Sequence, residues 1–403
     1  MTRVLDQQVL EGLRAVGDEG ADRVAAELRV RYPDLDEPAL VRIVLHDLAR
    51  GHQAGDQTVR DWMLCGPDLP AWADRETMRR GQSFFCDWPL GITAALFCVS
   101  LPSAYAAADG ARVLGLTSDL ATKNAARRIA ETGQMLIDVM DMRPDGPDPD
   151  ALRPGGVGYA TIRGVRLLHA VVRQTLLSHP AWRAEWGRPV NQEDLLGTLC
   201  TFTVAVFRGL DQLGVPYESR DADAYLHTWC VIGHLLGIRP ELLPLDRQEA
   251  EQIAHLIARR HHRPSDVGDR LLAVLLRQME MSMPWGMRKL PRTLMHHLLP
   301  PDIVTLFPEL PPPAGWAPVL AAGVKVGRVL GGVPGGRVLV QAPTELLGRS
   351  MIRMYVDRSM RGEGPPFRLD PAVAARLSIG TSPMRRAMRT RRQRMRAHKR
   401  AHQ

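Results

Sequence analysis

Between positions 60 and 310 the apolar residues recur at intervals of three and four rather than two, and no other feature constrains this chain as strongly. Leu167, Leu168, Val171 and Val172 form one such run. Leu195, Leu196 and Leu199 form a second, Ile253, Leu256 and Ile257 a third, and Leu271, Leu272, Leu275 and Leu276 a fourth. This period lays an apolar stripe along one face of an α-helix, and the alternation of a half-buried strand is almost absent. The expected fold class is therefore all-α. Pro and Gly mark joints at 142–158, 186–191, 237–245 and 300–318. The helical segments between them show no fixed repeat, which suits a multi-helix bundle rather than a solenoid.

The same pattern divides the chain. Residues 1–59 read as a helical lead-in, with Leu10, Leu13 and Val16 and then Leu40, Val44 and Leu48 at helical spacing. Residues 60–310 form the main helical domain, 311–384 a C-terminal extension packing on the core, and 385–403 a basic, disordered tail. Val338, Val340 and Ala342 alternate briefly, which suggests a short hairpin.

With 45% hydrophobic and 24% charged residues, the 403-residue chain has ordinary globular values, which excludes collagenous, disulfide-scaffold and wholly disordered proteins. The net charge of +8 hides an asymmetry, because 385–403 holds nine Lys and Arg and no acid, leaving about −1 for the rest. The high isoelectric point belongs to that tail, not to a nucleic-acid-binding body. The tail itself is a candidate for weak contact with nucleic acid or an acidic membrane surface, beside the plainer reading of a solvated end. No obligate protein partner is evident. Cys65, Cys86, Cys98, Cys200 and Cys230 lack a paired spacing, as buried thiols in a reducing compartment do. Charges at Asp6, Glu11 and Asp18 interrupt what a signal peptide would keep apolar, so a cytoplasmic protein is expected. The uncharged stretch 88–108 is long enough to span a bilayer, but Pro89, Pro102, Ser100, Ser103 and Tyr105 favour a buried helix.

Paired CxxC, HExxH, GxSxG and Walker signatures are all missing. Gly155, Gly156 and Gly158 lack the full dinucleotide fingerprint. The most suggestive segment is 165–173, where His169 sits among apolar residues with Arg166 three before and Arg173 four after. On a helix the three share a face. An imidazole facing an apolar cavity suits the iron of haem, and flanking guanidiniums suit its propionates; the plainer reading is a core histidine bonded to a carbonyl. A second helix places Arg128, Glu131 and Thr132 on one side, as a donor fork, a base and a hydroxyl, or simply as an intrahelical ion pair. His227, Cys230 and His234 offer three soft ligands from one helix, an awkward zinc site, or else the wall of a pocket. His261 and His262, like His296 and His297, sit near Arg and Pro in surface joints and read as ordinary solvated residues.

The ordered set of segments resembles the haem-dependent latex clearing protein (rubber oxygenase) and mycophenolic-acid-pathway oxygenase family. It comprises Gly81-Gln82-Ser83-Phe84-Phe85, the small-residue helix ending Ser100-Leu101-Pro102-Ser103-Ala104-Tyr105, and the Arg128 to Thr132 helix. The histidine helix follows, then 186–195 with Pro189-Val190-Asn191-Gln192-Glu193-Asp194-Leu195, then Leu199-Cys200-Thr201-Phe202-Thr203. The resemblance covers roughly 60–310.

It implies a globin-reminiscent helical bundle holding one haem b, with His169 as the proximal iron ligand and dioxygen as co-substrate on the opposite side. Arg128 and Thr132 match positions lining that distal side, and Thr201 looks like a threonine of the same pocket. Where rubber oxygenases of the family carry a lysine, this chain has Glu131, which cannot imitate an amine ligand but can act as a base. The implied activity is oxidation of a small apolar intracellular metabolite, by oxidative C=C cleavage of an isoprenoid-like chain, with hydroxylation or desaturation open. In this scheme the second ring nitrogen of His169 is expected to be hydrogen-bonded. The rival reading from another class is a non-catalytic all-α binding protein that uses its basic tail on nucleic acid or acidic surfaces.

Overall fold

The computed structural model describes residues 6–33, 57–117, 125–143 and 146–331, together with positions 333, 341, 344, 345, 348 and 352. Every regular element among them is helical, and the β contact they contain is an isolated bridge between Ala107 and His262. The all-α expectation holds. The alternation at Val338, Val340 and Ala342, the positions Leu40, Val44 and Leu48, and the basic tail lie outside the described residues.

In chain order the helices are α1 (Gln7–Leu13), α2 (Glu19–Arg31), α3 (Gln57–Leu64), α4 (Arg75–Asp87), α5 (Pro89–Ala95), α6 (Leu101–Ala106), α7 (Ala108–Leu116), α8 (Ala125–Val139) and α9 (Val157–Leu177). They continue as α10 (Gln192–Phe202), α11 (Val204–Gln212), α12 (Ser219–Leu235), α13 (Arg247–His261), α14 (Asp266–Ser282), α15 (Leu290–Leu298), α16 (Pro301–Val304) and α17 (Ala317–Gly331). Asp18, Asp74, Asn191, Asp246 and Ser265 each accept a first-turn backbone N–H, at α2, α4, α10, α13 and α14. Each cap satisfies a donor that the helix leaves orphaned.

The uncharged stretch becomes one long helix, in which α5 and α6 are joined through a π turn at Leu96–Ser100. By length and composition Pro89–Ala106 could cross a membrane, yet well over half of it is buried inside the fold, with Ile92 and Cys98 sealed. It packs against α11, α14 and α15. The closest helix pair is α4 on α12, where Gly81 makes the approach possible: an added methyl would collide with the Ala224 carbonyl and the Thr228 hydroxyl. Around that contact the core is aromatic, with Phe84 5.2 Å from Tyr225 and Phe202 stacked 4.5 Å from Trp229.

Two polar devices tie the N-terminal helices to this core. The first is a clamp on α9. Arg166 forks onto Asp18 through Nε and Nη2, at 2.5 and 2.9 Å, and Arg173 pairs with Asp22. Arg173 is 1% exposed and also donates to the Pro189 and Val190 carbonyls, at 3.0 and 2.9 Å. Between the two pairs, Ala21, Ala25 and Leu28 of α2 bury Leu167, Ala170 and Val171 of α9. Val190 sits at φ +51°, a costly conformation for a β-branched residue, and its carbonyl is fixed by Arg173.

The second device is a clasp at the start of α10. Gln192 donates to the Gly17 and Gly237 carbonyls and accepts from the Arg239 N–H. Glu193, 1% exposed, receives Arg14 at 3.3 Å, Arg260 at 2.7 Å and His261 at 3.0 Å. His261 is therefore a buried partner of a carboxylate and not the solvated joint residue its neighbours suggested. His262 is also drawn in, half-buried beside the Ala107 bridge, and burial pushes its pKa down to about 4. Of the other pair, His297 is exposed, while His296 is half-buried 2.9 Å from the Pro311 carbonyl.

Asp22→Ala is expected to leave Arg173 buried without its carboxylate, lowering the unfolding free energy by about 3 kcal/mol in urea titration. Burial works to raise the Glu193 pKa, but the His261 and Arg260 hydrogen bonds outweigh it and hold the carboxyl below its ordinary 4.5. Its contribution is thus complete above that value and lost as pH falls through the lower folded value. Denaturation over a pH series should show Glu193→Gln less stable at neutral pH, with a flatter loss of stability in acid than the parent.

Candidate functional site

α9 has two unlike faces. The α2 side carries Arg166, Leu167, Ala170, Val171 and Arg173 and is closed by the clamp. The other side carries Val165, Leu168, His169 and Val172, all half-buried, an apolar stripe interrupted by one imidazole. Burial first, and then repulsion from Arg173, push the His169 pKa down to about 4, against a smaller opposing pull from Asp18. His169 is therefore neutral at physiological pH. Its Nδ1 is buried without a hydrogen-bond partner. The expected bond to the second ring nitrogen is absent among the described residues, because Val165 and Val172, one turn either way, carry no side-chain acceptor.

α9 also packs against α8. At the joint between them the Thr161 hydroxyl donates to Asp138 at 2.8 Å, and Gln134 donates to the other oxygen of Asp138 at 2.8 Å. Glu131, Gln134 and Asp138 lie at i, i+3 and i+7, so they share the stripe of α8 that meets α9.

Burial varies by face and not by distance from the joint, since Ala130 of α8 and Leu167, Ala170 and Val171 of α9 are sealed. At the joint, Met135, Leu136, Asp138 and Val139 of α8 and 158–164 of α9 are buried. Residues 131–134 and Val165, Leu168, His169 and Val172 are only half-buried. His169 of α9 and Glu131 of α8 are thus both half-buried, on helices joined through the Thr161 to Asp138 bond.

The remaining candidate residues fall elsewhere. Thr132 is half-buried beside Glu131 on α8. Arg128 belongs to the same helix, and its side chain lies outside the described residues. Thr201, at the end of α10, donates to the Thr198 carbonyl at 2.8 Å, and its own carbonyl accepts from Ser100 at 2.5 Å. These bonds run within α10 and to the π turn, not to α8 or α9. His227 accepts the Asp74 N–H at 3.1 Å, the Cys230 thiol donates to the Pro244 carbonyl at 3.6 Å, and Trp72 lies against both His227 and His234. No group of three His, Cys, Asp or Glu suited to a metal ion occurs among the described residues.

A haem is thus only partly provided for. An unprotonated imidazole on an apolar stripe fits an iron ligand, while the unpartnered Nδ1 lacks the hydrogen bond that usually orients such a ligand. Arg166 and Arg173 do not fit as propionate partners, since Asp18, Asp22 and three backbone carbonyls already occupy their donors. The sequence missed this because helical spacing shows which side chains share a face and not which acids another helix brings to them.

A family model described as ER-bound oxygenase mpaB/B'/rubber oxygenase, catalytic domain, matches residues 83–397. A rubber oxygenase of Streptomyces sp. (strain K30) is 30% identical over 248 residues, covering 57% of this chain and 55% of that protein. The chain thus matches about half the length of that relative. The structure of latex clearing protein LCP in the closed state superposes with a TM-score of 0.63 at 24% identity, covering 85% of this chain and 90% of that one. The likeness establishes a common helical fold. With more than half of its length matched by the family model, the chain belongs to the mpaB/B' and rubber oxygenase catalytic-domain family.

Proposed function

We propose that this protein is a haem b-dependent oxygenase that oxidises a small apolar molecule held between α8 and α9, by C=C cleavage of an isoprenoid-like chain. One observation carries the reading: a neutral, half-buried His169 in an otherwise apolar stripe of α9. Membership of an oxygenase family supports the reaction class.

In this reading His169 holds the iron, and the haem with dioxygen supplies the oxidising power. The protein does the rest. Val165, Leu168 and Val172 bind the apolar chain and exclude water from it. Glu131 accepts a proton from the substrate carbon next to the double bond, the task of a positioned general base. Thr132, one residue along α8, offers a hydroxyl to orient the reacting end. Arg128, one turn earlier, brings positive charge to the same helix.

Visible spectroscopy and haem extraction are expected to give one b-type haem per chain, lost in His169→Ala. A colourless chain that takes up no added haem would leave the rival reading, a non-catalytic all-α binding protein that uses its basic tail on nucleic acid or acidic surfaces. Glu131→Gln should keep the Soret band while slowing conversion of a short isoprenoid to carbonyl products roughly 100-fold or more, read by mass spectrometry.

In the chain without haem, His169 takes up its proton near pH 6.5 when unfolded but only near pH 4 when folded. Stability should therefore fall as pH drops from 6.5 toward 4. His169→Leu should remove that part of the slope in denaturation titrations.

A further inference from the structure

Two neighbouring surface segments combine exposed apolar side chains with a complete lack of acids. On α17, Val319, Ala322, Val326 and Val329 follow at intervals of three, four and three, which sets them on one face. The three valines are 59%, 58% and 69% exposed. The opposite side of α17 is the packed one, with Val324 buried and Gly327 against the Gly214 carbonyl. The second segment is the turn leading into α15, the helix on which α17 packs. There Trp285 is 87% exposed, flanked by exposed Met281 and Met287.

Charge decides what such a surface meets. From 281 to 301 there is no Asp or Glu, and Arg288 and Lys289 stand exposed beside Trp285. From 310 to 344 there is again none, and Lys325 is exposed at the edge of the valine stripe. Further along the chain, 385–403 adds nine cations and no acid. We propose that this face, formed by α17 and the Trp285 turn, docks peripherally on the surface of an anionic lipid bilayer. An apolar stripe edged with cations buries its side chains at the level of the headgroups, tryptophan favours that boundary, and anionic lipid attracts the surrounding bases. A second copy of the chain would present the same positive charge and be repelled. Nucleic acid would satisfy the cations but leave the valines and Trp285 in water.

The test is co-sedimentation of the full chain with vesicles of phosphatidylcholine alone and of phosphatidylcholine mixed with phosphatidylglycerol. The chain should bind the mixed vesicles, bind phosphatidylcholine little, and release in high salt. Trp285 should be quenched by brominated lipid, and Trp285→Phe should lose that quenching. Val326→Asp with Val329→Asp, both on the exposed face, should weaken binding roughly tenfold or more while circular dichroism is unchanged. Lys289→Glu with Lys325→Glu should weaken binding to the mixed vesicles without touching an apolar group.

Failure of the parent chain to bind mixed vesicles overturns the proposal, as does undiminished binding of the valine variant, which would assign binding to the tail alone. It is equally overturned by a dimer in light scattering that the valine substitutions abolish, or by duplex DNA binding that they weaken.

Discussion

The clamp of α2 on α9 is the contact on which the rest of the arrangement depends. A helix carrying Arg163, Arg166 and Arg173 cannot be buried unless each guanidinium finds acceptors, because an unpaired buried charge costs more than the surrounding packing returns. Asp18 and Asp22, four residues apart on one side of α2, meet Arg166 and Arg173, seven apart on α9. Arg163 lies 3.5 Å over the Trp62 ring of α3 and donates to the Trp62 carbonyl. That side of α9 is closed by the clamp, while Val165, Leu168, His169 and Val172 are left half-buried. The clamp also makes the imidazole useful, since the nearby Arg173 adds to burial in keeping it unprotonated.

The clasp serves the same end from a different direction. Asn191, Gln192 and Glu193 are each 1% exposed or less; Asn191 caps α10 itself, while Gln192 and Glu193 hold other segments: the chain before α2, the end of α12, and α13. Asp194, next in line, has its pKa pushed up to about 6, chiefly by burial and against the pull of Arg14 and His261. This segment is the knot that fixes where α10 begins. Through Arg173, Pro189 and Val190 it is tied to the clamp itself.

Much of this was legible in the sequence, and the limits are physical. The three-and-four spacing specified the helices because that period reports burial of one face directly, and the small and polar residues of 88–108 foretold a core helix. The family resemblance rested on an ordered set of segments, among them the Arg128 to Thr132 helix, the His169 helix and the Asn191 to Asp194 segment, and the family match bears it out. The partners of charged residues were not legible. Arg166 and Arg173 read as ligands for an anionic group because their acids lie about 150 positions away, on a helix with no visible chemistry. His261 read as solvated because its neighbours are Arg and Pro, while the carboxylate that buries it comes from α10. Local spacing encodes a face, and only the packing of distant helices settles what that face touches.

This dependence bears on what counts as the functional unit. The family match begins at residue 83, after α1, α2 and α3 and within α4. Yet α9, the helix that carries His169, is closed on one side by α2 and α3 alone, through Asp18, Asp22, Ala21, Ala25, Val59 and Met63. A chain starting at the match would leave Arg166 and Arg173 without their carboxylates and the apolar side of α9 facing water. It would also lose Arg14 from the clasp, where Glu193 would keep only Arg260 and His261. The resemblance therefore marks where residue patterns are shared, whereas the body that packs α9 must begin further upstream, at Asp18 and Asp22.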